Sequence, residues 1–413
     1  MQKNTKKIVV LGLGYIGLPT ASILATKGHQ VVGVDIRGDV VATINSGNIH
    51  IIEPDLDTLV RSAVNSGRLK ASLVPEPADT FIIAVPTPFM QTAANPKAPD
   101  LSYVEAATRS IAPFLNIGNL IILESTSPVG TTEKIANILA ALRPDLCQAP
   151  ANNQLSVYIA HCPERVLPGH IIRELVDNDR IIGGITQNAA KEAQELYKSF
   201  CHGDIYLTDS KTAEMAKLVE NSFRDVNIAF ANELSIICDQ LGINVWELIE
   251  LANRHPRVNI LNPGPGVGGH CIAVDPWFIV DAAPEDARLI RTAREVNDTK
   301  PCWVLDKVKD RAARFKDPVI GCLGLAFKAN IDDLRESPAL RITEELIASG
   351  IGRIMPCEPN LNGDFKKFVI YELDQVVQEA DIIVVLVDHD EFKNIDRDQL
   401  KAKVIIDTKG ILH

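Results

Sequence analysis

The chain has 413 residues, of which 46% are hydrophobic and 23% charged, and its formal net charge is -11 at pH 7. This length exceeds what one hydrophobic core usually holds, so we expect two or three domains. The acidic balance argues against a general binder of nucleic acid or of acidic membranes, because both would be repelled. A local basic pocket for a small anion remains compatible with it. No run of about 18 apolar residues occurs, which argues against a membrane-spanning helix.

Eight cysteines are scattered along the chain, at positions 147, 162, 201, 238, 271, 302, 322 and 357. None of them forms a C-x-x-C pair, so we expect neither a metal knuckle nor a disulfide framework. The apolar stretch after Lys6 and Lys7 is broken by glycines and has no small-residue cleavage site, unlike a secretory signal. These features predict a reducing, cytoplasmic location.

Apolar runs alternate with helical stretches from residue 8 to about residue 210. The predicted strands are 7–11, 30–34, 80–84, 120–124, 158–161 and 180–183, and helical periodicity marks 19–27 and 131–142 among the intervening stretches. Strands that are apolar on both faces and joined by helices predict an α/β fold with a parallel, doubly wound sheet. The stretch 91–99 is predicted to be a surface loop.

The first predicted strand leads into the sequence GLGYIG, residues 12–17, which opens a helix. Glycines at this spacing let the backbone turn tightly and approach a pyrophosphate at the helix N-terminus. Asp35 ends the second strand, where an acid accepts hydrogen bonds from the adenosine ribose. The carboxylate favours NAD over NADP, and Arg37 close by weakens that preference.

Two further strands end in VPTP and ESTSPVG, at the sheet edge where open α/β folds bind ligands. Thr87 and Thr126 lie in these segments and can hydrogen-bond the cofactor. Turn chemistry and helix capping are the alternative explanation for both threonines. The predicted cofactor contacts in this part of the chain are Gly12, Gly14, Tyr15, Ile16, Gly17, Asp35, Thr87 and Thr126.

Residues 211–241 contain no glycine or proline and predict one long helix, with Ser210 or Thr212 as its N-cap and Gly242 at its end. Further helices are predicted at 245–253 and 284–310. The second has an amphipathic run that suits either a dimer core or an ordinary connecting helix. From about residue 317 the alternation resumes and predicts a second, smaller α/β domain. The predicted domains are therefore 1–210, 211–314 and 315–413.

The segment NPGPGVGGHCIAVD, residues 262–275, is the most unusual of the chain, since 263–269 are glycine or proline except for Val267. Such a loop is costly to order, which favours a functional reason for it. Cys271 follows the loop, with His270 beside it and Asp275 four residues later. A cysteine near exposed amides and cationic groups is an activated nucleophile. On spacing alone an inert buried thiol is an equally good interpretation, and Cys162 in HCPER is a competing candidate.

Lys217, Asn221 and Arg224 share one face of the predicted long helix. Such a ridge can hold an oxyanion and a phosphate, and the alternative is an ordinary solvated face. Apolar side chains adjoin the ridge and indicate a well-packed helix, which favours the first interpretation. They are Met215, Leu218, Phe223 and Val226.

These motifs, in this order, resemble those of the UDP-sugar 6-dehydrogenases of the UDP-glucose/GDP-mannose dehydrogenase family over essentially the whole chain. They are GLGYIGLP, VPTP, ESTSPVGTTE, CPER, the Lys-x-x-x-Asn helix, GPGVGGHC with its following aspartate, and FK at 327–328. HCPERVLPG, NRHPR and VDPWFIV resemble the branch that acts on UDP-N-acetyl-D-mannosamine. Ala329 stands where close relatives tend to have proline, which leaves Lys328 in place.

The resemblance implies a four-electron oxidation of the sugar C6 alcohol to a uronate, with two NAD consumed. It implies an N-terminal Rossmann domain for NAD, a central helical dimerisation region and a C-terminal Rossmann-like domain for the UDP-sugar. Cys271 would hold the aldehyde as a thiohemiacetal and then as a thioester. Lys217 and Asn221 would stabilise the oxyanion, Asp275 would position water or assist proton transfer, and Glu164 would be the hydrolytic base.

The resemblance also implies a set of binding residues. Substrate contacts would come from Arg165, Val166, Lys217, Asn221, Arg224, Gly268 and Lys328. His255 and Arg257 would complete the site of the partner in a homodimer, and Arg335 would reach the cofactor pyrophosphate. The family suggests a role in envelope or capsular polysaccharide synthesis.

Three alternatives stay open at this point. The same chemistry can act on UDP-glucose or UDP-N-acetylglucosamine. A two-electron β-hydroxyacid-type dehydrogenase shares the Rossmann domain and the Lys-x-x-x-Asn helix, but it has no use for Cys271 or for a third domain. A non-catalytic NAD(H)-binding sensor would bind the cofactor without turnover.

Overall fold

The computed structural model describes residues 5–90, 97–146, 156–269, 271–361 and 365–412. It divides into two compact units, Met1–Val219 and Glu220–His413. Within the described ranges no helix is long and apolar enough to cross a membrane. Most of the surface loop predicted at 91–99 lies outside the described residues, and the three predicted domain boundaries stay a prediction.

The first unit is built on one eight-stranded sheet of order β3-β2-β1-β4-β5-β6-β7-β8. Its strands are β1 (Lys7–Leu11), β2 (Gln30–Val34), β3 (Leu69–Ser72), β4 (Thr80–Ile83), β5 (Leu120–Leu123), β6 (Tyr158–His161), β7 (Arg180–Gly184) and β8 (Ile205–Asp209). Its helices are α1 (Gly17–Thr26), α2 (Gly38–Asn45), α3 (Leu56–Asn65), α4 (Ser102–Ile111), α5 (Thr131–Leu142), α6 (Ile171–Asp177) and α7 (Gln187–Tyr197), with 3-10 turns at Ala112–Phe114 and Pro144–Leu146.

The central strands of this sheet are apolar because helices cover both of its faces. All four residues of β4 and of β5 are buried, as are four of the five in β1. The strand order reverses beside β1, which places the carboxyl end of β1 at the crevice where such sheets bind ligands. The predicted doubly wound α/β fold is confirmed, with β1, β2 and β6 found at the predicted residues.

The expectation of a wholly parallel sheet is wrong at one junction. β7 runs antiparallel to β6, with Ala160 opposite Gly184, and β8 then pairs in parallel with β7. A return of this kind needs no crossover to the far end of the sheet, and only the short helix α6 lies between β6 and β7. β3 and β8 carry no continuous apolar run because they are the edge strands, so the sequence pattern did not mark them.

A single helix of 32 residues, α8 (Ser210–Leu241), follows the sheet and runs from the first unit into the second. It ends, as predicted, at Gly242, whose φ of 68° is left-handed. The predicted N-cap is wrong: the carboxylate of Asp209 accepts from the backbone N–H of Thr212 at 3.0 Å and from its hydroxyl at 2.7 Å. The N-cap is therefore Asp209, the residue before Ser210, and not Ser210 or Thr212.

The second unit contains a four-stranded parallel sheet of order β10-β9-β11-β12, which confirms the smaller α/β domain. Its strands are β9 (Val319–Leu323), β10 (Arg353–Cys357), β11 (Ile382–Val385) and β12 (Val404–Asp407). Its helices, after α8, are α9 (Val245–Ala252), α10 (Asp275–Ala282), α11 (Arg288–Ala312), α12 (Pro338–Ser349), α13 (Leu373–Glu379) and α14 (Asp390–Lys393), with a 3-10 turn at Arg397–Leu400.

A buried polar seam joins α8 to α11 within the second unit. Arg294 donates to the Asp225 carboxylate at 2.6 Å, and the Asn297 amide donates to the same carboxylate at 2.8 Å. All three side chains are at most 1% exposed. Since α11 buries this face inside its own chain and carries Pro301, the structure favours a connecting helix over a dimer core.

The apolar residues expected to show that α8 is well packed behave differently from one another. Leu218 is 1% exposed, but Met215 is 38% and Phe223 69% exposed. The packed face of the helix is therefore largely the polar one, and an apolar face is left uncovered. The prediction that these side chains are packed was wrong for Met215 and Phe223.

Candidate active site

The glycines of the 12–17 turn are required for two different reasons. Gly12 has φ 88°, and a Cβ there would lie 2.6 Å from the Ala84 carbonyl oxygen. A Cβ on Gly17 would lie 1.8 Å from the Gly12 oxygen, so both positions are closed to other residues by the fold itself. A Cβ on Gly14 would meet nothing within 4 Å. That open space, in front of the start of α1, fits the approach of a cofactor pyrophosphate.

Asp35 is oriented toward this turn by backbone donors. Its carboxylate accepts from the N–H of Leu13 at 3.1 Å and from the N–H of Arg37 at 3.0 Å. An acid held at the end of β2 fits the adenosine ribose of NAD. His50 lies in the same neighbourhood: burial, followed by the charge of Arg37, lowers its pKa. The sequence analysis did not identify His50, because it lies far along the chain from the glycine turn at residues 12–17.

Thr87 and Thr126 are brought together at the carboxyl ends of β4 and β5. The Thr87 hydroxyl donates to the Thr126 carbonyl at 2.6 Å, and the neighbouring Ser125 hydroxyl donates to the Val85 carbonyl at 2.6 Å. These bonds fit the explanation by turn chemistry, since the hydroxyl proton of Thr87 is already donated to a backbone carbonyl. Contact of either threonine with the cofactor stays a prediction.

The glycine geometry predicts that Gly14→Ala and Gly17→Ala fail in different ways. The Gly14 variant keeps its free energy of unfolding within about 1 kcal/mol, because its Cβ meets no protein atom. Its KM for NAD rises about tenfold or more, since overpacking costs about 1–3 kcal/mol. The Gly17 variant loses more than about 3 kcal/mol of stability. Chemical denaturation measures the stability of each variant, and NAD titration measures its affinity. A Gly14→Ala protein with unchanged NAD affinity would contradict the approach of the pyrophosphate to Gly14.

Cys162, the competing nucleophile, is buried and inert. It is 0% exposed, and desolvation raises the pKa of its thiol to about 12. Thiolate is the reactive form of cysteine, so this group is protonated throughout the neutral range. The structure thereby removes Cys162 as the alternative to Cys271.

Glu164 is held in a buried ion pair. Arg180 donates to its Oε1 at 2.8 Å, and the two side chains are 7% and 5% exposed. The Arg180 guanidinium in turn lies 4.7 Å from the ring centroid of Tyr197. The second oxygen of Glu164, Oε2, is buried and has no partner among the described residues. A carboxylate fixed at one oxygen and available at the other suits proton transfer with a bound group.

Glu124, at the end of β5, is a buried acid that the sequence analysis did not single out. Desolvation and the charge of Glu164 raise its pKa to about 7. The Tyr197 hydroxyl donates to one of its oxygens at 2.5 Å, and the Thr20 hydroxyl of α1 donates to the other at 3.3 Å. A polar network therefore runs from the dinucleotide helix to Glu164. Its place directly after a buried strand was the feature of the sequence that could have identified Glu124 as a site residue.

The segment after Glu164 is fixed by backbone contacts. The Arg165 guanidinium donates to the Asp179 carbonyl at 3.2 Å, and Val166 packs against the core. Further along, the buried Glu53 carboxylate accepts from the N–H groups of residues 169 and 171 at 2.8 and 2.7 Å. The fold thus presents Arg165 and Val166 from a restrained backbone.

In the second unit, a turn carries Cys271 and Asp275 together. The carbonyl of Cys271 accepts from the N–H groups of Val274 at 3.0 Å and Asp275 at 2.9 Å, and α10 begins at Asp275. The buried Asp275 carboxylate accepts from the Asn221 amide at 2.5 Å. Cys271 itself is exposed. Three residues predicted to act together are therefore neighbours, and Lys217 lies one turn before Asn221 on α8. His270 is outside the described residues.

Gly268 places the reactive loop against the segment that carries Lys328, a predicted substrate contact, and Arg335, a predicted cofactor contact. A Cβ on Gly268 would lie 2.8 Å from the Glu336 carbonyl oxygen and from the Phe327 Cβ. Lys328, next to Phe327, is exposed. Arg335 is exposed and forms an ion pair with Asp333 at 2.6 Å, so its contact with a pyrophosphate stays a prediction.

The residues predicted to serve a partner lie in an exposed loop after α9. His255 and Arg257 are both exposed, and the Arg257 N–H donates to the His255 Nδ1 at 3.3 Å. Asn253 closes the loop: its side chain donates to the Ile260 carbonyl at 3.0 Å and accepts from the Ile260 N–H at 2.7 Å. Arg224, on α8, is exposed as well. No described neighbour in their own chain covers these side chains.

The glycine turn at residues 12–17 and the carboxylate of Asp35 in the first unit define a class, the dinucleotide-dependent dehydrogenases. Family models of the UDP-glucose/GDP-mannose dehydrogenase family match the NAD binding domain at 6–201, the central domain at 211–299 and the UDP binding domain at 321–413. The chain belongs to this family and is an NAD-dependent UDP-sugar dehydrogenase.

Several relatives are similar over nearly the whole chain. An NDP-N-acetyl-D-galactosaminuronic acid dehydrogenase of Ralstonia nicotianae is 60% identical over 98% of this chain and 96% of its own. The UDP-N-acetyl-D-mannosamine dehydrogenase of Escherichia coli K12 is 56% identical over 98% of each. Among solved structures, the UDP-D-ManNAc dehydrogenase of Pyrococcus horikoshii is 44% identical, with a TM-score of 0.87 over 98% of this chain and 96% of that one.

Proposed function

We propose that the protein oxidises the C6 alcohol of UDP-N-acetyl-D-mannosamine to the uronate, with two NAD consumed per sugar. The observation that carries this is the exposed Cys271 thiol on a turn that also holds Asp275 against Asn221. A thiol is needed when an aldehyde must be oxidised again, because the adduct turns the carbonyl carbon into an oxidisable alcohol. Relatives named for this substrate, at 56% identity, support the choice of sugar.

The first oxidation uses the polar face of α8. Bound NAD supplies the hydride acceptor, once in each oxidation. The Lys217 ammonium and the Asn221 amide stabilise negative charge on the C6 oxygen as it loses its proton. The Asn221 amide has two N–H donors, so one can hold Asp275, as seen at 2.5 Å, while the other faces the substrate oxygen. Asp275 in this way fixes the direction of the catalytic amide.

The second oxidation and the hydrolysis are proposed to run through Cys271. Its sulfur forms a bond to the aldehyde carbon, and the carbonyl oxygen takes up a proton to give a thiohemiacetal. Loss of hydride and of the hydroxyl proton leaves a thioester. Water then adds to the thioester carbon, and the C–S bond breaks to return the thiol and the carboxylate. Glu164 is proposed as the base for that water, supported by its ion pair with Arg180 and its unpartnered oxygen.

A second candidate substrate is UDP-N-acetyl-D-galactosamine. Two Ralstonia relatives at 60% and 58% identity are named NDP-N-acetyl-D-galactosaminuronic acid dehydrogenases. Both candidates are 2-acetamido sugars, so the shared requirement is space and hydrogen bonding for the acetamido group. A pocket rejects the wrong sugar most strongly when that sugar leaves buried polar groups of the pocket without a hydrogen-bond partner.

The test is NADH release by the purified protein with four nucleotide sugars under one condition. They are UDP-N-acetylmannosamine, UDP-N-acetylgalactosamine, UDP-N-acetylglucosamine and UDP-glucose. We expect the highest kcat/KM with the first. The highest value with UDP-N-acetylgalactosamine would establish the second candidate, and no NADH release with any of the four would overturn the proposed function.

We also propose a homodimer that forms through the apolar face of α8. Six side chains that are 38% to 69% exposed lie along it: Met215, Val219, Phe223, Phe230, Ile237 and Leu241. At 100° per residue they fall within about 80° of the helix circumference. An apolar stripe of this length along one helix is typical of a protein–protein interface. His255 and Arg257 are proposed to reach the site of the partner, which their exposure supports.

This interface predicts that Phe223→Asp yields monomers. A carboxylate at the most exposed position of the stripe would be buried without a partner in the dimer, which costs several kcal/mol. Sedimentation or light scattering measures the change. Ile117→Asp is the matched control, because Ile117 is 75% exposed but belongs to the turn before β5 rather than to α8, and this variant stays dimeric. A dimeric Phe223→Asp protein would place the interface elsewhere.

The state of the cysteines supports the proposed cytoplasmic location. Seven cysteines fall in the described part of the chain, and none of them forms a disulfide. Thiols kept in this state suit a reducing compartment, where a nucleophilic cysteine also stays reduced.

A further inference from the structure

The loop that precedes Cys271, residues 262–269, lies against close neighbours in the second unit. Gly266 has φ 149°, and a Cβ on it would lie 3.0 Å from side-chain carbons of Pro301 and Pro338. The backbone therefore runs in a narrow channel between α11 and the start of α12. Glycine-rich chain gains much conformational freedom when it is released, so a fixed loop needs specific anchors.

One buried side chain anchors the start of this loop. The Asn232 Oδ1 on α8 accepts from the N–H of Gly264 at 2.8 Å, and the Asn232 Nδ2 donates to the Asn297 Oδ1 at 2.9 Å. Asn232 is 0% exposed. Gly264 stands between Pro263 and Pro265, which have no N–H, so its amide is the one backbone donor available at that point of the loop.

The rest of the α8–α11 seam fixes the orientation of Asn232. The Asn297 amide that receives its hydrogen bond is itself tied to the Asp225 carboxylate, which pairs with Arg294. Lys300 donates to the backbone carbonyl of Asn232 at 3.4 Å, which holds the main chain of α8 at this point. Because each amide has both a donor and an acceptor engaged, neither can flip without breaking a buried hydrogen bond.

We propose that Asn232 is a positioning residue for the Cys271 thiol. It lies on the side of α8 that also carries Asn221, so one rigid helix sets both the oxyanion donor and the start of the loop that delivers the nucleophile. Release of Gly264 would let the loop move as a unit and misplace the sulfur, and misplacement of about 1 Å costs about 10²-fold in rate. The inference rests on the proposed nucleophilic role of Cys271.

The test uses Asn232→Leu, which removes the acceptor for the Gly264 N–H at similar size. Asn244→Ala is the control: it removes the N-cap of α9, where Asn244 accepts from Trp246 N–H at 3.0 Å, and so lowers stability away from the loop. We measure kcat, KM, thermal unfolding and amide exchange in peptides spanning 262–270.

We expect Asn232→Leu to lower kcat about tenfold or more, with KM changed less than about threefold, and to speed exchange of the loop amides. Asn244→Ala leaves both readouts unchanged. If the leucine variant does not fold, Asn232→Ser, too short to reach Gly264, carries the same expectation. The proposal fails if the folded variant keeps kcat within about twofold, or if loop exchange is unchanged. A wild type without turnover on UDP-sugars overturns the proposed function instead, and exchange still reports on Asn232.

Discussion

Cys271→Ala is expected to lower uronate formation by about 10³-fold or more, because loss of a catalytic nucleophile has effects of this size. Without the sulfur, the aldehyde cannot be held as an oxidisable adduct, so the second oxidation is lost. The protein should remain folded, since Cys271 is exposed and lies on a turn closed by backbone hydrogen bonds. Mass spectrometry of the product, with NADH measured in the same reaction, checks this.

Cys302→Ala is the matched control for that variant. Cys302 is the other exposed cysteine among the described residues, and it belongs to α11 in the same unit. We expect it to keep the wild-type rate. Normal uronate production by Cys271→Ala would contradict the thioester route.

Arg180→Leu is expected to destabilise the first unit by about 3–5 kcal/mol, since removing one member of a buried ion pair leaves the other charge uncompensated. The Glu164 carboxylate would lose its partner at 2.8 Å, beside the buried Glu124. Urea denaturation measures the loss. Arg173→Ala, which breaks the exposed pair with Asp177, is the control and should change stability by less than about 0.5 kcal/mol.

The deficit of Arg180→Leu should grow with pH. The pKa of Glu124 is already raised from 4.5 to about 7 in the native protein, so its folded form holds a proton that the unfolded form releases. Stability from this group is present below pH 4.5 and is lost as the pH rises toward 7. Without the Arg180 cation, which lowers the pKa of Glu124, that carboxyl group favours its protonated form further and this loss becomes larger. A deficit that is equal at pH 5 and pH 8, or smaller than about 1 kcal/mol, would contradict the proposed electrostatics.

The sequence predicted those features that depend on local pattern. β1, β2 and α8 were recognisable because an apolar run or an unbroken helical composition is written in consecutive residues. The turn that joins Cys271 to Asp275 also spans only a few residues, so their association was predictable. The resemblance assigned Asn221 and Asp275 to one site, but the hydrogen bond between them was not predicted and was found in the structure.

The features that the sequence missed depend on residues far apart in the chain. The antiparallel β7 is set by the path of the connection after β6, which no periodicity encodes. Glu124 owes its raised pKa to burial and to the charge of Glu164, which reaches it from another part of the chain. Phe223 was predicted to be packed because an exposed apolar stripe on a helix has the same sequence pattern as one that faces a core.

The most direct test of the proposed reaction is the amount of NADH formed per UDP-N-acetylmannosamine consumed, run to completion with excess NAD. Two oxidations at one carbon, with Cys271 carrying the aldehyde between them, predict two NADH and one UDP-uronate for each sugar. One NADH per sugar, with an aldehyde as the product, would contradict the account.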